Sequence, residues 1–346
     1  MTTPLISISH ANLRHNVATL ASRVAPSEVM MAVKTNAYGH GLVEVCQTAL
    51  EAGATSFAVL EIAAAIDLRN AGISAPLFAW LFGDDEIPAG IDHQVDLGIS
   101  RREQLSIAGA YGKPTNPAIV HLKIDTGLTR NGATVNQWPS LCEEAARLEK
   151  IGNIRVVGVW THLADATPQD DEDALELFRA AVDIARQAGL TPSILHAGAS
   201  SAGLRSDASR LDAVRFGIAA YGVSPFDSPT ANDLGLRPVM TVSAPVTHVT
   251  ADHALVGIGF GHGILTGDND ERFVRIGSDT YRVTDIGVDS MRIVPFENSP
   301  WPVLLGARAI IFGDGGPSAE QLGAWCGTIG DEVVTSVSPH IRRTHN

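Results

Sequence analysis

The chain has 346 residues, 45% of them hydrophobic and 18% charged, with a formal net charge of −13. That length and apolar content allow a large core and suggest two domains, whereas the acidity argues against a nucleic-acid footprint or a basic membrane-binding face. The three cysteines, Cys46, Cys142 and Cys326, are too few and too widely spaced for a disulfide framework or a metal cluster.

Residues 1–5 lack a basic stretch followed by an apolar core, and no long uncharged apolar run occurs later. A cytoplasmic protein without a metal is the expectation. Along the first two thirds, short apolar runs alternate with segments of helical period. The runs at 29–33, 56–60, 77–81, 95–99, 118–124, 156–160, 193–197 and 213–218 read as strands. Helix-like stretches lie between most of them, such as 44–52, closed by Gly53 where a left-handed cap belongs. Such alternation implies right-handed βαβ units and a parallel sheet. Eight units in roughly two hundred residues suit a (β/α)8 barrel better than an open doubly wound sheet. The first strand is not followed by G-x-G-x-x-G, which lowers a dinucleotide-binding alternative.

Beyond about residue 230 the pattern changes. Segments 238–246, 273–295 and 302–312 read as strands, with a helix only around 319–324. The expected fold class is therefore α/β: a TIM-like barrel over 1–230 and an all-β domain over 231–346, with the boundary at 228–236.

A barrel gathers its chemistry at the C-terminal ends of its strands. Lys34 ends the first run, Lys123 and Asp125 end the fifth and His162 ends the sixth; His196 lies in the seventh and Arg215 in the eighth. A lysine ending an apolar strand is either a snorkelling surface cation or an amine in a partly dry pocket, where it forms Schiff bases. A lone histidine is more often a satisfied core or rim residue. Charged or imidazole groups on five strand ends are harder to dismiss, because buried charge is costly unless paired or used. The hydroxyls after His196, Ser200 among them, and the amides around Gly217 occupy the loops that usually cradle phosphate in such barrels. A phosphate cradle facing a Schiff-base lysine points to pyridoxal 5'-phosphate.

The segments 32–41 (A-V-K-T-N-A-Y-G-H-G), 121–132 (H-L-K-I-D-T-G-L-T-R-N-G), 161–166, 196–202, 214–222 and 327–333 together resemble the alanine racemase family, over nearly the whole chain. The resemblance implies a pyridoxal-phosphate isomerase of D-alanine biosynthesis. It also implies a homodimer in which each β domain contributes to the partner's active site, with a small amino acid as substrate. By that resemblance Lys34 holds the cofactor as an aldimine and serves as one base. Tyr38, Ser200, Gly217 and Ile218 bind the phosphate, Arg215 faces the pyridine nitrogen and His162 packs on the ring. Arg130 lies near the substrate carboxylate, and Lys123 matches a lysine that is carbamylated in some members.

The departures from the family pattern are also specific. Its second catalytic group is a tyrosine in a G-Y-A-D-G motif, matched here by Gly259-Phe260-Gly261-His262-Gly263. Phenylalanine carries no proton, and His262, two residues on, is a candidate substitute, set against a plain solvated loop histidine. A phosphate-contacting tyrosine aligns with Asp331, whose carboxylate would repel a phosphate unless it turns away. Val288 stands where a methionine helps line the substrate site, Ala199 replaces an asparagine, and the β domain reads as shortened. Three readings follow. The first is interconversion of L- and D-alanine. The second is another one-base amino-acid reaction, such as retro-aldol cleavage or transamination. The third is a non-catalytic cofactor or amino-acid binder.

Overall fold

The computed structural model describes residues 3–267, 269–296 and 299–346. Strand β1 is Leu5–Ile8. Eight strands follow: β2 (Glu28–Ala32), β3 (Ala54–Val59), β4 (Leu77–Ala79), β5 (Asp96–Ile99), β6 (Ala118–Lys123), β7 (Ile154–Trp160), β8 (Ile194–His196) and β9 (Ala213–Phe216). They form one parallel sheet in the order β8-β7-β6-β5-β4-β3-β2-β9. Its edges meet through an Ala199–Arg215 bridge, with the Arg215 amide donating to the Gly198 carbonyl at 3.0 Å. The result is a closed (β/α)8 barrel.

The cause is legible in burial. In β2 and β3 the last four residues are all buried, as expected of strands covered by helices on one face and by the barrel interior on the other. Each strand from β2 to β8 is followed by a helix before the next strand, whereas β9 leads into the short turn Ile218–Tyr221. In the longest helix, Pro168–Gln187, Thr167 caps the N-terminus by accepting from the Asp170 amide, and proline takes the first helical position.

The remaining strands are β10 (Met240–Val249), β11 (Ala254–Val256), β12 (Phe273–Ile276), β13 (Asp279–Ile286), β14 (Met291–Pro295), β15 (Arg308–Phe312) and β16 (Arg343–His345). With β1 they form a second eight-stranded sheet, ordered β11-β14-β13-β12-β15-β10-β1-β16 and closed by a β10–β11 pairing. In β10, buried Met240, Val242 and Ala244 alternate with the more exposed Thr241 and Ser243, the period of a half-covered antiparallel strand, before Pro245 and Val246 are both buried.

The chain divides by its contacts into residues 17–34 with 49–217, and residues 1–16 with 35–48 and 218–346. This differs from a linear division into 1–230 and 231–346. The first strand pairs antiparallel with β10, Leu5 opposite Ser243, so the N-terminus belongs to the second sheet. A second helix, Gly330–Ser336, follows the expected one, observed at Ala319–Trp325.

Candidate active site

In the barrel unit, Lys34 lies two residues past β2, is half-buried, and follows Val33, whose amide donates to Ala58 O at 2.9 Å. Lys123 is the last residue of β6 and is 3% exposed. Its Nζ sits 4.5 Å from the centroid of the Trp160 ring. Burial, then the charges of Arg215 and Arg130, push its amine down to about 8, against a smaller opposing effect of Asp125. Arg130 is exposed on the loop after β6.

Arg215, 6% exposed, is the most heavily bonded side chain of the site. Its Nη1 donates to Nδ1 of His196 at 3.0 Å. Its Nη2 donates to Nδ1 of His162 at 3.0 Å and to the carbonyls of Thr161 at 2.9 Å and Ala197 at 2.7 Å. A guanidinium offers only donors, so both imidazoles must present an unprotonated Nδ1. Their titration agrees. Burial and then Arg215 hold His196 well below its ordinary range. His162 falls to about 3, through burial first and then the cations Arg215, Arg130, Lys123 and Lys34. Arg215 itself drops to about 9 because it is desolvated.

Those four cations around one neutral ring form a strongly positive mouth on the barrel, and the chemistry of that donor set fits a phosphorylated aldehyde cofactor and an amino-acid carboxylate. Near it the Gly217 amide donates to Ser200 Oγ at 3.0 Å, which leaves the Ser200 hydroxyl hydrogen for another acceptor. The expected residues Lys34, Lys123, His162, Ser200, Arg215 and Gly217 thus share one end of the barrel.

Tyr38 and Ile218 fall in the other contact unit. Residues Thr35, Asn36, Ala37 and Tyr38 all have φ between 52° and 53°, a left-handed turn that costs non-glycine residues about 1–2 kcal/mol each. The turn is held from several sides. The buried His40 donates from Nδ1 to the Tyr38 carbonyl at 2.8 Å, Asn36 Oδ1 accepts from the Leu42 amide at 2.9 Å, and Arg343 Nε donates to Gly39 O at 2.8 Å. The Tyr38 ring lies 4.9 Å from that of Tyr221. Its phenol is raised by burial and then by the Asp331 carboxylate, so Asp331 lies within electrostatic reach of Tyr38. Ile218 is buried at the start of the short turn Ile218–Tyr221.

Phe260 opens the turn Phe260–His262 and is 49% exposed. Val288, 61% exposed, lies beside it: the Phe260 amide donates to Gly287 O and the Gly261 amide to Val288 O. The Gly259 amide donates to Nδ1 of His262 at 3.3 Å, so that nitrogen is unprotonated and Nε2 carries the hydrogen in the neutral ring.

Some site residues escaped sequence reasoning. Trp160 stacks on His196 with centroids 5.6 Å apart and 2° between planes, and it underlies both Lys123 and Arg215. His121, quoted above only within a motif, bonds through Nδ1 to His196 Nε2 at 3.0 Å. Its signal was present: residues two apart on a strand share a face, so His121 and Lys123 point the same way from β6. Among the described residues no cluster could hold a metal ion and no helix is long and apolar enough to cross a membrane.

Lys34, Lys123, His162, His196 and the buried Arg215 thus gather at one end of a (β/α)8 barrel, the arrangement of a barrel enzyme. Residues 8–225 match the model of the alanine racemase N-terminal domain. The chain is 34% identical to an alanine racemase of Frankia casuarinae, covering 96% of this chain and 94% of the relative. It is 35% identical to one of Thermobifida fusca, with 95% and 94% covered. A solved alanine racemase from D-cycloserine-producing Streptomyces lavendulae superposes with a TM-score of 0.93 at 30% identity, over 100% of this chain and 97% of that one. The chain belongs to the alanine racemase family.

Proposed function

We propose that this protein is a pyridoxal-phosphate-dependent racemase that interconverts L- and D-alanine. The observation that carries the reading is the buried Arg215 guanidinium at the barrel mouth, donating to Nδ1 of His162 and of His196 at 3.0 Å each, in a chain of the alanine racemase family. When bound, the cofactor supplies an electron sink that stabilises a carbanion at the substrate Cα. Lys34, at the end of the first barrel strand, would hold the cofactor and would serve as the base for the Cα proton on one face. The Ser200 hydroxyl and the Gly217 amide would hold its phosphate; Tyr38 and Ile218 are assigned to the same task by the family resemblance alone. Arg215, a donor on every nitrogen, would face the pyridine nitrogen and disfavour its protonation, because a second cation beside it is unfavourable. His162, neutral through burial and surrounding charge, packs on the ring without adding charge, and Arg130 receives the substrate carboxylate.

Two features belong to this chain's own chemistry. A neutral amine attacks carbon dioxide, forming an N–C bond and releasing a proton to solvent. Lys123, depressed to about 8, is suited to that carbamylation. The buried Nε1 of Trp160, whose ring Lys123 overlies, has no partner among the described residues and would be served by a carbamate oxygen. In a homodimer with shared sites, Phe260 occupies the place of the second-face proton carrier, Val288 lines the substrate, and His262 is the candidate replacement base. Asp331, beside Tyr38, supports the phenol rather than the phosphate.

The test is incubation of cofactor-supplied protein with each alanine enantiomer, followed by chiral chromatography. Racemisation yields a mixture of both enantiomers from either one, with no keto acid or aldehyde. New carbonyl products would favour the one-base alternatives, and unchanged alanine a binding role.

A further inference from the structure

A line of polar side chains runs through the barrel interior from Arg215 to Asp96. Arg215 Nη1 donates to Nδ1 of His196 at 3.0 Å. His196 Nε2 lies 3.0 Å from Nδ1 of His121. His121 Nε2 is buried, makes no hydrogen bond among the described residues, and has Oδ2 of Asp96 at 3.5 Å, an electrostatic contact. The histidines are 0% and 1% exposed. They are walled by aromatic rings: Phe78 lies 4.8 Å from His121 and 5.3 Å from His196, and Trp160 stacks on His196.

The first link fixes the direction of the rest. Because a guanidinium can only donate, His196 must accept at Nδ1 and carry its hydrogen on Nε2. That hydrogen is donated to Nδ1 of His121, which therefore carries its own hydrogen on Nε2, aimed at the Asp96 carboxylate. Every hydrogen points away from Arg215, and the line needs an acceptor at its end. Asp96, the first residue of β5, supplies it. Arg69 acts on Asp96 as a neighbouring cation while donating its hydrogens to the carbonyls of Ile73, Ala75, His93 and Gln94. The space is built for the inner ring: a Cβ on Gly158 would lie 2.0 Å from Nδ1 of His121.

We infer that Asp96, through His121 and His196, is a positioning residue for Arg215, fixing the tautomers that hold the guanidinium in one orientation at the site. The hydrogen-bonded part of the line stiffens the core, and the Asp96 carboxylate at 3.5 Å supplies the only charge opposite the buried His121 Nε2 that the line shows; without it that buried N–H faces no acceptor in the line. The inference rests on the proposed role of Arg215, but its test needs neither cofactor nor turnover. The chain is labelled with 15N in histidine and arginine and studied by NMR without cofactor. His121 and His196 are both expected as neutral rings protonated on Nε2. Asp96→Asn, whose amide oxygen still accepts, is expected to keep both tautomers. Asp96→Ala is expected to give His121 a mixed tautomer population and faster exchange of the Arg215 Nη hydrogens. A doubly protonated or Nδ1-protonated His121 in the unaltered protein overturns the inference. So does an Asp96→Ala variant whose histidine signals and arginine exchange match the parent. Neither result bears on whether alanine is racemised, so failure here stays separate from failure of the functional reading.

Discussion

Gly158 and His121 claim the same space inside the barrel: a Cβ on the glycine would lie 2.0 Å from Nδ1 of the imidazole. The ring has no cheap retreat, since Nδ1 is held by His196 at 3.0 Å and the side chain is 1% exposed. Gly158→Ala is therefore expected to destabilise the fold by about 1–3 kcal/mol, the usual range for overpacking a core. Urea unfolding midpoints measure this. An alanine variant as stable as the parent would mean that the ring does not lie against β7.

Lys123 gives a pH dependence with a definite sign. The folded protein holds this amine at about 8 against an ordinary 10.5, chiefly by burial. Between those values the unfolded chain binds the proton and the folded one does not, so the group's contribution to stability grows as pH rises through that window. Below it the amine is charged in both states and its full desolvation penalty applies. The stability of the parent relative to Lys123→Met, in carbonate-free buffer, is expected to climb from pH 8 to pH 10.5. Parallel curves for the two proteins would contradict the depressed titration.

Much of this was legible beforehand. The eight barrel strands coincide with apolar runs because most of their residues are buried, and β2 to β8 are each followed by a helix. The placement of β1 was not legible: Leu5–Ile8 pairs with Met240–Ser243, and no local pattern encodes a partner so far along the chain. The site divides likewise. Arg215 and His162 were singled out from strand ends, and their side chains meet at 3.0 Å. The roles of His121 and Asp96 depend on rings and carboxylates facing each other across three strands, which spacing along one strand does not report.

Phe260 bears on rate. If it stands in the second proton carrier's place, the parent racemises slowly, because a general acid–base group contributes about 10²–10⁴-fold. Phe260→Tyr adds one hydroxyl to a half-exposed ring and is expected to raise alanine racemisation by about 10²-fold or more. Initial rates by chiral chromatography decide it. A parent already fast, and unimproved by the tyrosine, would shift the role to His262, and His262→Ala would then abolish that rate.

The central claim is that Lys34 moves the Cα proton of alanine at this barrel mouth. The most direct measurement is mass-spectrometric deuterium uptake at Cα, in heavy water, with each alanine enantiomer and cofactor-supplied protein. The parent is expected to label one enantiomer readily and to form its mirror image carrying deuterium, while Lys34→Ala does neither. Unlabelled alanine from the parent, or exchange by Lys34→Ala at the parent's rate, would contradict the claim.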